Sequence, residues 1–340
     1  GLNLSRRLNP RDLLGGFRRL VRLLKKEAPD ILHTHLSHDH WLGAIAARQL
    51  KGGPRTLRTF HSPRAIRWDP AHRFLFNSLT HASVAVSGFI GKLLVHRGGV
   101  RPECVYTIPG AVDTERFSPE VGLSTRERYR ELLGIEEGAP AAGIVARVRK
   151  ERGHAELLMA FRRVSEELPQ ARLVIVGKGE GLPGIKALAR DLGLEAKVIF
   201  TGYRETDLRE ILGALDVFVL LRPGSEGSGR AALEAMAMGL PCVVADGGGL
   251  GELVAQGETG LIVPRGDEGA LSGALLKLLR EPELARAMGR RGRERALTDF
   301  SQGLRAERTE ALYFKFLEGE GEKESFPFPE VKGFVRRGSS

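Results

Sequence analysis

Pro223-Gly-Ser-Glu226-Gly-Ser-Gly-Arg-Ala-Ala-Leu-Glu234-Ala-Met-Ala-Met-Gly-Leu-Pro241 decides how this 340-residue chain is read. The stretch follows an apolar, β-rich run, Val217–Leu221. Gly227 and Gly229, on either side of Ser228, let backbone approach a ligand closely because they carry no Cβ. A helix is expected to start near Gly229, and its N-terminus offers free N–H groups and the positive end of a dipole. That is a ready site for a diphosphate. Glu234 falls about five residues into the helix, roughly 7.5 Å along its axis. Two carboxylates, Glu226 and Glu234, thus flank a phosphate-binding helix start. Carboxylates accept hydrogen bonds from sugar hydroxyls, so one can hold a sugar and the other a ribose.

Outward from this stretch, short β-rich runs alternate with helical ones. The strands expected after residue 140 are Ala142–Ala146, Arg172–Val176, Val198–Phe200, Val217–Leu221, Cys242–Ala245 and Gly260–Val263. Helices are expected around 154–167, 183–192, 206–214, 229–238, 250–255 and 268–280. An earlier series has strands Asp30–His35, Thr56–His61, Ser83–Val86 and Val105–Ile108, with helices Leu13–Lys26, Trp41–Leu50 and Gly88–Arg97. Such alternation predicts parallel α/β sheets. The length exceeds the roughly 250–300 residues at which a single core stops growing. Two doubly wound domains, joined near 118–140, follow. Ligands of such sheets sit at the carboxyl ends of the strands.

The turn after the first strand of the second series reads Ala146-Arg147-Val148-Arg149-Lys150-Glu151-Arg152-Gly153-His154. Guanidinium forks suit phosphate oxygens, so Arg147 and Arg152 are candidates to neutralise a diphosphate. If that diphosphate is a leaving group, cations placed there stabilise its growing charge in the transition state.

Together these elements resemble the retaining GT-B glycosyltransferases of family 4, the "glycosyl transferases group 1" type. The family's Glu-x7-Glu motif appears as Glu226 to Glu234. Its Gly-Arg-Leu-x-x-x-Lys-Gly turn resembles Ala146-Arg147-Val148 through Arg152-Gly153, with Ala146 and Arg152 as departures that keep both charges. Val174-Ile-Val-Gly177-Lys-Gly179 is similar to its Val-Gly-x-Gly strand end, and Phe200-Thr201-Gly202-Tyr203 to its base-binding turn. Ile108-Pro109-Gly110-Ala111-Val112-Asp113 through Phe117 resembles its Pro-Asn-Gly-Val-Asp-x-x-x-Phe segment, departing at Gly110 and Ala111. The likeness runs from about residue 28 to about 300.

The resemblance implies a set of roles. Arg147 and Arg152 hold the leaving diphosphate, Glu226 positions the sugar and Glu234 binds ribose. Gly177, Gly202, Tyr203, Gly227, Ser228 and Gly229 line the donor. His61, in Thr59-Phe60-His61, supports the reacting sugar, against the alternative of a strand-end histidine bonded to nearby backbone. The implied reaction moves a sugar from a nucleoside-diphosphate sugar to an acceptor hydroxyl, with retention. No metal and no cofactor is expected beyond that co-substrate. The alternatives are a non-catalytic nucleotide-sugar-binding fragment and an epimerase or hydrolase on the same scaffold.

His33-Thr-His35-Leu-Ser-His38-Asp39-His40 resembles the His-x-His-x-Asp-His of binuclear metallohydrolases. The spacing fails, because Asp39 lies four residues after His35 where that motif needs two. His35 and Asp39 are candidates for acceptor contact instead. The acceptor itself is expected to be a glycan or a lipid-linked molecule.

Residues 1–118 hold 19 Lys and Arg against 8 Asp and Glu, whereas the rest holds 33 against 34. This basic first third could attract anionic lipid or a phosphorylated substrate, or simply be solvated. Nucleic acid is not an expected partner. Leu13–Lys26 reads either as a basic amphipathic helix lying on an anionic membrane or as a helix covering a sheet. The two cysteines, Cys104 and Cys242, form no framework, which fits a reducing, cytoplasmic setting, including the inner face of a membrane.

The expected architecture is α/β: two Rossmann-like doubly wound domains of GT-B type facing a cleft. Residues 1–120 form an acceptor-side domain that opens on a helix rather than a strand and glycine-rich turn, so it is expected to be N-terminally truncated. Residues 121–300 form the donor domain, 301–318 a helix crossing back, and 319–340 a tail.

Overall fold

A computed structural model describes residues 10–222 and 229–318. Glu226, Gly227, Ser228 and the 319–340 tail lie outside the described residues. The rest divides into two compact units, one of residues 10–109 with 305–318, the other of 110–304.

The first unit holds a four-stranded parallel sheet: β1 (Ile31–Thr34), β2 (Arg55–Phe60), β3 (Ala82–Ala85) and β4 (Val105–Thr107), side by side in chain order. Right-handed crossovers between strands in that order place every connecting helix on one face. Those helices are α2 (Ser37–Arg48), α3 (Pro70–Ser78) and α4 (Gly88–His96). Phe60, Leu75, Phe76, Ile90 and Leu94 make the core beneath them. The opposite face needs another cover. Leu312 of the C-terminal helix packs there with Leu57, Ala82, Val84 and Ile108. The N-terminal helix α1 (Pro10–Glu27) lays Leu20 and Leu24 against Ala46 of α2. Leu20 and Leu24 are thereby buried within the unit, while Leu14, Leu23, Arg18, Arg19, Arg22 and Lys25 stay exposed.

The second unit holds six parallel strands: β5 (Ala141–Val145), β6 (Arg172–Val176), β7 (Val198–Gly202), β8 (Val217–Leu220), β9 (Cys242–Ala245) and β10 (Gly260–Val263). Their spatial order is β10-β9-β8-β5-β6-β7. From β5 the chain winds outward through β6 and β7, then returns to β8 on the other side of β5 and winds the opposite way. Both faces are buried. Ile144, Ile175 and Val219 point into one core with Leu157, Phe161 and Leu275. Val174, Phe218 and Val244 point into the other with Leu233 and Met236. Alternate residues of one strand thus serve opposite cores, as period-two geometry requires.

All ten strands stand within a residue or two of their expected places. Three helices were not read from the sequence. One is α3, although Asp69 caps it and Pro70 opens it. The second is α5 (Pro119–Leu132), in the segment read as a joint; it buries only Gly122 and Arg130. Arg126 Nη2 of α5 donates to Asp216 Oδ1 at 2.5 Å, tying α5 to the start of β8. The third follows α6 (His154–Glu167), α7 (Leu182–Asp191), α8 (Leu208–Gly213), α9 (Arg230–Ala237) and α10 (Glu268–Arg280). It is α11 (Pro282–Asp299), whose buried face is made of small residues, Ala285, Gly289, Gly292 and Ala296, with Met288. The helix expected at 250–255 is only a short 3-10 turn, Leu250–Glu252. The last helix is α12 (Gln302–Leu317). Among the described residues no helix is long and apolar enough to cross a membrane.

Candidate active site

The reversal of strand order between β5 and β8 opens a crevice outside their carboxyl ends, where doubly wound sheets bind ligands. The arginine turn, 146–153, leaves β5, and the chain that leaves β8 returns to the described residues at Gly229, the start of α9.

The arginine turn is clamped by its neighbours. Ala146 N donates to Val176 O at 3.0 Å, Val148 N to Lys178 O at 3.1 Å, and Gly177 N to Gly202 O at 2.8 Å. The loops after β5, β6 and β7 are thereby knit into one surface, which brings Arg147, Gly177, Gly202 and Tyr203 together. Gly177 is required there: its φ is +149°, and a Cβ would meet Ala146 O at 2.0 Å. Gly202 turns at φ +72°. Tyr203 is 57% exposed, a flat face available for stacking, and Lys178 Nζ lies 4.7 Å from its ring centre.

The turn concentrates positive charge. Arg147 is exposed and Arg152 half-buried. Burial lowers the Arg152 pKa, Glu151 opposes the shift, and Arg147 and Arg149 add to it. Repelling guanidiniums of this kind gain from a bound anion. Gly153, at φ +83°, then starts α6, and a Cβ on it would lie 2.8 Å from Leu221 Cβ. The start of α6 therefore abuts the end of β8. Arg222 Nη2 bonds Glu156 Oε1 across this junction at 2.5 Å.

His154, the first residue of α6, was not singled out in the sequence. It is fully buried, and neither ring nitrogen has a hydrogen-bond partner among the described residues. Burial, then Arg152, pushes its pKa down to about 4, so the ring is neutral. Nothing in the pattern of the turn marks it, because a histidine at a helix start usually faces solvent.

On the β8 side, Gly229 caps α9 in the left-handed conformation, φ +59°. A Cβ there would strike Leu253 Cδ1 at 2.4 Å, so only glycine fits. Glu234 is one turn further on and 7% exposed. Its Oε1 accepts from Arg230 Nε at 2.9 Å. Burial of a carboxylate beside a helix start is costly unless it is bonded.

His61 belongs to the first unit. Its Nε2 lies 3.1 Å from His35 Nδ1. His33 is held between Thr59 Oγ1 at 2.8 Å and Tyr313 Oη at 2.6 Å. Burial, then His35, His61 and Arg305, lowers the His33 pKa to about 4. Behind them Arg58 is 1% exposed. It donates to His40 Nδ1 at 3.0 Å and to Ser37 Oγ at 2.9 Å. His40 therefore carries its proton on Nε2 and gives it to Thr80 Oγ1 at 2.7 Å. Asp39 accepts from Leu36 N at 3.2 Å, at the start of α2. His33, His35 and His40 thus bond different partners. Among the described residues no three His, Cys, Asp or Glu side chains are grouped to hold a metal ion.

Comparison with known proteins agrees with this geometry. The profile of "Glycosyl transferases group 1" matches residues 125–295, and that of "Glycosyltransferase Family 4" matches residues 2–116. The chain is 31% identical over 273 residues to a GDP-mannose-dependent alpha-(1-6)-phosphatidylinositol monomannoside mannosyltransferase of Mycobacterium tuberculosis, covering 75% of this chain and 70% of that one. It is 29% identical over 317 residues to the UDP-Gal:alpha-D-GlcNAc-diphosphoundecaprenol alpha-1,3-galactosyltransferase of Escherichia coli, covering 86% and 77%. In fold it resembles a glycosyltransferase from Rickettsia africae, with a TM-score of 0.83 at 21% identity over 93% of this chain and 84% of that one. With both halves matched, and the arginine turn and α9 start set beside the switch point of the second sheet, the chain belongs to the glycosyl transferases group 1 family and is a GT-B glycosyltransferase.

Proposed function

We propose that this glycosyltransferase moves a sugar from a nucleoside-diphosphate sugar to an acceptor hydroxyl with retention of the anomeric configuration. The observation that carries the donor assignment is the arginine-rich turn after β5 together with the start of α9, both at the switch point of the second sheet. Arg147 and Arg152 take the diphosphate, with the free N–H groups of α9 behind Gly229. Glu234 accepts from the ribose hydroxyls, and Tyr203 with Gly177 and Gly202 borders the base. Glu226 holds the transferred sugar, with Gly227 and Ser228 beside it. His61 is assigned the support of the reacting sugar.

In the proposed reaction the bond from the anomeric carbon to the leaving phosphate oxygen breaks. The acceptor oxygen bonds to the same face of that carbon, and its proton passes to the departing phosphate. Arg147 and Arg152 stabilise the charge that grows there. The assignment needs no bound metal or other cofactor. The acceptor is a glycan or a lipid-linked saccharide, a class supported by the printed name of the Escherichia coli relative. The names of the two relatives point to different bases, UDP in one and GDP in the other.

A thermal-shift screen of UDP-, GDP- and ADP-sugars tests the donor, because a ligand that binds the native state raises the melting temperature. NMR of the product made with the stabilising donor tests the stereochemistry. An α-linked donor should give an α-linked product, and a β-linked product would refute retention.

A further inference from the structure

Lys178 stands between the arginine turn and Tyr203. It is exposed, just beyond the carboxyl end of β6. β6 lies between β5 and β7, and the loops after those two strands carry Arg147 and Tyr203. A nucleoside diphosphate with its phosphates on Arg147 and its base on Tyr203 therefore passes over Lys178.

The backbone of Lys178 is fixed. Its carbonyl accepts from Val148 N at 3.1 Å. Both neighbouring glycines press on the arginine turn: a Cβ on Gly177 would meet Ala146 O at 2.0 Å, and one on Gly179 would meet Val148 O at 2.1 Å. The side chain is freer. Nζ rests 4.7 Å from the ring centre of Tyr203, a weak attraction at an exposed site. The nearby acids are engaged with arginines. Glu180 Oε1 lies 3.0 Å from Arg149 Nε, and Asp207 pairs with Arg204. Lys178 thus presents an ammonium on a flexible stem, mounted on a fixed turn, over the ring that borders the base.

An ammonium has three donors and no acceptor. A base stacking on the face that Lys178 covers pushes the ammonium to the edge of the base. There a carbonyl oxygen accepts its N–H, whereas an exocyclic amino group, itself a donor, opposes it. We propose that Lys178 selects the base of the donor, favouring the exocyclic carbonyl of uracil or guanine over the amino group that cytosine or adenine carries in its place. This inference rests on the donor assignment above and narrows the co-substrate to a nucleotide with an oxo base.

Two pairs of nucleotides isolate the effect. Uridine and cytidine diphosphates exchange the carbonyl for the amino group at constant ring size, as do inosine and adenosine diphosphates. Calorimetric titration of the full chain with all of them reads the selection. In the pair whose ring the site accepts, the oxo nucleotide should bind about tenfold tighter. Lys178→Met, of similar length and uncharged, should remove that preference, and Lys178→Arg should keep it. Both members of a pair carry the same ribose and diphosphate, so any general loss of attraction for phosphate cancels in the ratio. Unchanged far-UV circular dichroism checks that the fold survives. Equal affinity within both pairs for the unaltered chain would overturn the selection and leave the donor assignment standing. A preference that survives in Lys178→Met would likewise overturn it. Absence of binding by all the nucleotides would remove the donor assignment and this inference with it.

Discussion

Replacing Gly177 with alanine should damage the donor site through a single methyl group. The added Cβ would stand 2.0 Å from Ala146 O and 3.0 Å from Ala146 C, whereas real Cβ atoms essentially never come within 3.0 Å of such a neighbour. The obstacle is backbone, so no side-chain rotation relieves it. The φ of +149° adds strain of its own. Such a conformation costs a residue with a side chain roughly 1–3 kcal/mol, and relief must loosen the bonds from Ala146 N to Val176 O and from Gly177 N to Gly202 O, each worth about 1 kcal/mol. The total is about 3–5 kcal/mol, a fall in melting temperature of roughly 6–20 °C for a unit of this size. The segment that must move carries Arg147, so affinity for the nucleoside diphosphate should fall as well. Gly184→Ala is the control: this glycine is exposed in α7 and has nothing within 4 Å of an added Cβ. That change should raise stability by about 0.5–1 kcal/mol. Urea unfolding followed by circular dichroism reads both. If Gly177→Ala unfolds at the same urea concentration as the unaltered chain, the clamp between the β5 and β6 loops is wrong.

Further outcomes follow from the same geometry. His40 and His154, both fully buried, have pKa values near 3 and 4 in the fold, below the ordinary 6.5 of the unfolded chain. The unfolded state therefore takes up more protons as pH falls through 6.5, and stability is lost in the window from about 6.5 down to about 4. Between pH 7 and 5 the loss is about 2 kcal/mol for each histidine, with His33, held near 4, adding to it, and His154→Leu should remove its own contribution and leave the others. A stability curve that stays flat to pH 5 would contradict the buried, neutral rings. Glu234→Ala should weaken UDP or GDP, whichever binds, about tenfold while leaving inorganic diphosphate unaffected, because only the nucleotide brings a ribose. Equal loss for both ligands, measured by calorimetry, would move Glu234 from the ribose to the phosphates.

Much of the donor half was legible because it rests on local rules. Gly153, Gly177, Gly202 and Gly229 each sit where positive φ or close backbone contact demands glycine, and the strands between them are the apolar runs of a sheet buried on both faces. Less legible was anything decided by packing at a distance. Nothing in His154 itself reveals that α6 buries it. Arg58 looks like an ordinary alternating residue of β2 until the sheet places it against His40 and Ser37 of α2. α11 escaped because its buried face is built of alanine and glycine, which carry little hydropathy contrast. α3 had a readable start in Asp69 and Pro70 but offers only Leu75 and Phe76 to the core, too few to set a helical period.

The central claim is that the arginine turn at the switch point of the second sheet holds a nucleoside diphosphate. Calorimetric titration of UDP, GDP and ADP into the unaltered chain, and into Arg147→Ala and Arg147→Ala/Arg152→Ala variants, tests it most directly. The account predicts that at least one of the three binds. Each arginine removed should cost about 2 kcal/mol, or about thirtyfold in affinity, with the fold intact by circular dichroism. Absence of binding by the unaltered chain to all three nucleotides, or undiminished affinity in the double variant, would contradict it.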